Sequence, residues 1–104
     1  MVYYVGLLAG KNDLELLEAT KEGRNINRHY YDMDEIADEV ERPVVKELLR
    51  LMELRNAHPA FDVEGDIEVT CGEGGAFTVR RTSGDAWAQL DADLKEHAYR
   101  ITHS

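Results

Sequence analysis

A chain of 104 residues has room for one compact domain at most, with a modest core. Its formal charge of −9, from 21 acidic against 12 basic residues, excludes the basic footprint that nucleic-acid binding needs and disfavours an anionic membrane surface. No run approaches the ~20 apolar residues of a membrane span. The lone cysteine, Cys71, closes no internal disulfide, so a reducing cytoplasm is the expected home.

The opening MVYYVGLLAGK has no basic residue ahead of its apolar stretch, so no secretory signal is expected. Residues 2–9 are apolar without alternation, and the spacing of Gly6 and Gly10 argues against a helix. They predict a strand buried on both faces, as in a parallel sheet. No other segment has that character, so its neighbours are expected to lie outside this chain. Asn12 or Asp13 then caps a short helix carrying Leu14, Leu16, Leu17 and Ala19, with Gly23 as its stop. Residues 23–31, GRNINRHYY, form a polar, aromatic-rich ordered loop. Asp32 with Glu35 reads as a capping-box start, followed by a narrow stripe of Ile36, Ala37 and Val40.

Pro43 suits the first turn of the clearest helix. Val44, Val45, Leu48, Leu49, Leu51, Met52 and Leu54 recur at helical spacing, and the width of that stripe predicts packing against something substantial. The helix should end near Asn56, because Pro59 disfavours helical geometry at His58. From Asp66 the period becomes two. Residues 66–71, 76–81, 86–91 and 96–102 predict a four-strand antiparallel meander, with turns at GEGG and at Ser83-Gly84-Asp85.

The search for chemistry starts with the acids. Glu15, Glu18, Glu35, Asp38, Glu39, Glu41, Glu47 and Glu53 fall on expected helix faces and read as solvation. His29, His58, His97 and His103 lack ligand spacing, so no metal is expected. Cys71 shares a strand face with Ile67 and Val69 and reads as a small buried hydrophobe. The 23–31 loop is different. Its arginines, asparagines, histidine and tyrosines are the set that builds sugar sites: planar donors that fork hydroxyls, amides that donate and accept, and aromatics that stack. The competing reading is a loop stitched to its own scaffold, and composition leaves both open.

The segments VYYVGLLAGKNDLELLEATKEGRNINRHYY and ERPVVKELLRLMELRNAHPAFD resemble the corresponding parts of sucrose phosphorylases, phosphorylases of the α-amylase-type family 13 of glycoside hydrolases. VYYVG, AGKND, GRNINRHYY and RPVVK in that order are specific together, though each alone is weak. The likeness is close over residues 2–62 and looser beyond. It implies an α+β chain from the C-terminal portion of such an enzyme. Residues 1–60 would be the last βα unit of a (β/α)8 barrel with its active-site loop. Residues 61–104 would be the C-terminal antiparallel β-domain.

The implied activity is retaining glucosyl transfer from sucrose to phosphate, giving α-glucose 1-phosphate and fructose without a cofactor. The nucleophile and acid/base carboxylates of such enzymes lie on earlier barrel strands, so no catalytic residue is expected here and the chain alone should be inactive. Arg24 matches the arginine that holds the glucosyl unit. Arg28, His29 and Tyr30 match as loop support, and Asn25 receives no role. The expected partners are sucrose and phosphate in the full-length enzyme and the missing barrel portion, with self-association through exposed barrel surfaces. Two rivals remain: a stand-alone dimerisation module using Val44, Leu48 and Leu51, and a fragment of a related phosphorylase with another acceptor.

Overall fold

The opening apolar run is helical rather than extended in the computed structural model, which describes residues 2–104. Helix α1 (Tyr4–Leu7) is a single turn with Val5 and Leu8 buried. The Leu7 N–H donates to the Tyr3 carbonyl at 2.8 Å, Leu8 to Tyr4 at 3.0 Å and Gly10 to Val5 at 2.8 Å. This corrects the expected barrel strand. A doubly buried strand must find ladder partners on both sides. The described residues form one sheet, and 2–9 is not part of it. A local turn pairs the same backbone groups without neighbours.

Helix α2 (Leu14–Thr20) starts where expected, with the Asp13 carboxylate accepting from the Leu16 N–H at 2.9 Å. It stops earlier than expected. Lys21, not Gly23, takes the left-handed conformation (φ 56°), and its N–H bonds the Leu17 carbonyl at 2.8 Å. Gly23 instead opens a 3-10 turn over Gly23–Asn27, so the polar loop has internal structure.

Helix α3 (Met33–Glu39) is capped by Asp32, which accepts from the Glu35 N–H at 2.8 Å. Only half of the capping box forms, since the Glu35 side chain turns to His29. Asp32→Ala is therefore expected to lose about 1 kcal/mol of stability, while Asp32→Asn should lose far less. Urea unfolding of the chain would check both.

Helix α4 (Pro43–Ala57) runs one residue past its expected end, and His58 is extended before Pro59. Val45 is fully buried, but Val44 and Leu49 are exposed, so the wide stripe is covered only in part. The chain divides into two compact units, Met1–Glu53 and Leu54–Ser104, the division falling inside α4.

In the second unit, β1 (Asp66–Cys71), β2 (Ala76–Ser83), β3 (Ala86–Asp93) and β4 (Ala98–His103) form the expected antiparallel meander in the order β1-β2-β3-β4. The first turn uses positive φ at Gly74 and Gly75, and the second at Gly84. Register aligns apolar rows across one face. Val69 lies opposite Val79, Val79 opposite Leu90, and Leu90 opposite Ile101. Ala88 on that face is buried, as is Ala60 in the 3-10 turn Pro59–Phe61 that meets β2 and β3.

The face is not covered at β1, where Ile67 and Val69 are 59% and 58% exposed and Cys71 is exposed too. This overturns the buried reading of Cys71. Alternation identifies which side chains share a face, but an edge strand lacks a neighbour to shield its outer half. On the other face Arg80 stacks over Trp87 at 4.5 Å and donates to Gln89 at 2.8 Å. Among the described residues no helix is long and apolar enough to cross a membrane.

Candidate functional site

A cavity of about 780 Å³ lies within the first unit, bounded by residues 9–15, His29, Tyr31, Glu35, Glu39 and Arg42. Local structure positions each wall. The α2 cap places Asp13, the first turn of α3 places Glu35, and the segment between them delivers His29. The His29 ring bridges the two acids, with Nδ1 at 2.5 Å from Asp13 Oδ2 and Nε2 at 3.0 Å from Glu35 Oε2. Asp13, and then Glu35, raise the His29 pKa above its ordinary value of 6.5. His29, and then the Leu16 N–H, hold the Asp13 carboxyl below the usual carboxylate value.

Opposite them, the Arg42 guanidinium pairs with Glu39 and donates to the carbonyls of Leu8 at 3.2 Å and Ala9 at 3.4 Å. It thus ties the start of α4 to the end of α1. Tyr31 crosses the His29 ring edge-on at 4.7 Å. Burial, and then the Glu39 and Glu35 carboxylates, push its phenol above the ordinary value. The Tyr31 hydroxyl sits where a Cβ on Gly10 would be. That close approach explains a glycine at this corner.

Glu35 and Glu39 were expected to solvate a helix face, and the structure instead turns both into the cavity. Ion pairing outweighs helix-face hydration when a cation is delivered from another element. Spacing along the chain offers no signal for this, since Asp13 and His29 are sixteen residues apart. The other residues singled out from sequence are dispersed. Arg24 lies in the 3-10 turn, 68% exposed, with its Nε 3.0 Å from Glu22, and is not among the residues bounding this cavity. Arg28 ends that turn, and Tyr30 is exposed. Among the described residues no group of three or more His, Cys, Asp and Glu side chains is arranged to hold a metal ion.

A curated sucrose phosphorylase of Streptococcus mutans is 54% identical to this chain over 105 residues, covering 99% of the chain and 22% of that protein. The chain is homologous to the C-terminal part of sucrose phosphorylases. A glucosylglycerol phosphorylase of Marinobacter adhaerens is 42% identical over 103 residues, covering 99% of this chain and 21% of that protein. The crystal structure of sucrose 6F-phosphate phosphorylase from Thermoanaerobacter thermosaccharolyticum matches with a TM-score of 0.87 at 43% identity, covering 98% of this chain and 20% of that one. The chain therefore spans about a fifth of the length of the curated relatives it matches. No protein-family model matches it.

Proposed function

We propose that this chain works as the C-terminal part of a cytoplasmic sucrose-phosphorylase-like enzyme and catalyses nothing by itself. The observation that carries the reading is 54% identity to a sucrose phosphorylase along virtually the whole chain. In the enzyme, a carboxylate outside this chain bonds C1 of the glucosyl unit as the bond to fructose breaks. A second carboxyl group, also outside it, protonates the departing fructosyl oxygen. A phosphate oxygen then attacks C1 and releases the carboxylate, so two inversions give net retention. Arg24 holds the glucosyl hydroxyls during both steps. Of the acids bounding the cavity, Asp13 and Glu35 are bonded to His29 and Glu39 to Arg42.

The test has two arms. The pure 104-residue chain, given sucrose and phosphate, should form no glucose 1-phosphate. A chimera in which this chain replaces the matching C-terminal stretch of the Streptococcus mutans enzyme should form it. Product from the isolated chain, or a folded but inactive chimera, overturns the reading. A related phosphorylase with another acceptor is the second reading, favoured by the likeness to a glucosylglycerol phosphorylase and a sucrose 6F-phosphate phosphorylase. Assaying the protein from its native gene with sucrose, sucrose 6F-phosphate and glucosylglycerol separates them. The dimerisation module has its own observation, the exposure of Val44 on α4, and predicts a mass that doubles with concentration and falls back in a Val44→Lys variant.

A further inference from the structure

The His29 bridge has a chemical consequence that its geometry dictates. A neutral imidazole has one N–H donor and one acceptor nitrogen, whereas an ionised carboxylate only accepts. Both ring nitrogens of His29 face carboxylate oxygens, at 2.5 Å and 3.0 Å. With both acids ionised, both contacts are hydrogen bonds together only when the ring is an imidazolium. Asp13 is ionised for a second reason, since its other oxygen accepts the Leu16 N–H as the cap of α2.

We propose that His29 is a pH-set clamp: its doubly bonded imidazolium pins the start of α2 to the first turn of α3, and loss of one proton releases the segment held between them. The segment has few other ties to these helices. The Asp13 N–H donates to the Ile26 carbonyl at 2.6 Å, and the Asn25 amide donates to the Thr20 hydroxyl at 3.0 Å. Neither reaches α3. The His29 side chain is 36% exposed and its acids 20% and 43%, so solvent can exchange the proton without unfolding.

Besides Arg28, its neighbour in the chain, further charged and titratable groups lie around the ring. Lys11 and Glu15 bound the same cavity from the α2 side, and Glu39 and Arg42 form their own pair opposite. Tyr4, Tyr30 and Tyr31 surround the ring's other side. The pH window follows from the two shifts. The His29 contribution is complete below 6.5 and disappears as pH rises through its raised folded value. The Asp13 contribution is present above 3.8 and disappears as pH falls through its depressed folded value. The clamp is closed between those limits and opens as pH rises through the raised His29 value. Because the segment carries Arg24, an open clamp in the proposed enzyme would leave the sugar-orienting arginine less fixed. That consequence rests on the proposed function, whereas the clamp does not.

Ring-resolved NMR of the 104-residue chain from about pH 5 to about pH 9 tests it without any activity assay. His29 should titrate above 6.5, with both ring nitrogens protonated on the acid side. Asp13→Asn and Glu35→Gln should each lower its midpoint, Asp13→Asn the more. Amide protection at Asp13 and Arg28 should fall as His29 deprotonates, and in His29→Gln it should no longer follow that titration. An ordinary midpoint that neither substitution moves overturns the clamp. So does protection that stays constant through the His29 titration. If His29→Gln does not fold, the wild-type protection profile and the Glu35→Gln midpoint decide.

Discussion

Gly65→Ala is expected to destabilise the C-terminal unit by about 1–3 kcal/mol, seen as a lower urea midpoint with an unchanged slope. A Cβ at this position would lie 2.6 Å from the Thr82 carbonyl oxygen, 3.1 Å from the Asp62 carbonyl and 3.3 Å from the Ser83 Cβ. The two nearest atoms belong to the backbone, so no rotamer change relieves the contact. Thr82 is held in register between Asp66 and Trp87, and Asp62 accepts from the Gly65 N–H and from Arg81. Any shift at residue 65 therefore moves the β1–β2–β3 ladder. Trp87, the only tryptophan, lies in that ladder and reports the transition directly. Gly6→Ala is the control, because the added methyl meets nothing and lies in α1. Alanine there should not destabilise. A Gly65→Ala chain as stable as the parent would mean that the Asp62–Asp66 corner is looser than its distances indicate.

The second large effect concerns activity. In the active chimera, Arg24→Ala should lower kcat/KM for phosphorolysis about 100-fold, because the glucosyl unit loses the group that orients it. The melting temperature should barely change. In this structure the guanidinium pairs with the Glu22 carboxylate, and both side chains are more than half exposed. An exposed pair of that kind contributes little to folding and can be exchanged for a sugar hydroxyl. Arg24→Lys should recover only part of the loss, since a single ammonium cannot reproduce the planar fork. An Arg24→Ala chimera within a few-fold of its parent would remove Arg24 from the sugar site and leave the homology intact.

The helix caps at Asp13 and Asp32 and the long helix from Pro43 were legible in the sequence, because each depends on residues within one turn. The four-strand meander was legible for a similar reason. Its alternation and its glycine turns are local signals, and successive strands simply pair with the next. The candidate site was legible only in pieces. Asp13, His29 and Glu35 were each noticed, as a cap, a loop residue and a helix-face acid. Nothing in their spacing linked them, because the link passes through a fold-back of the chain.

Residues 2–9 mark the limit most clearly. Composition alone settled that this run is apolar, since the free energy of leaving water depends on the side chain itself, but of its residues Val5 and Leu8 are buried while Val2, Tyr3 and Tyr4 are exposed. Whether the run extends or coils depends on who supplies hydrogen-bond partners, and backbone N–H and C=O groups are the same in every residue. Only the tertiary structure decided it, by pairing Leu7, Leu8 and Gly10 within the segment. The same division holds at β1. Alternation determined that Ile67, Val69 and Cys71 share a face, whereas their exposure was decided by what the fold leaves beside an edge strand.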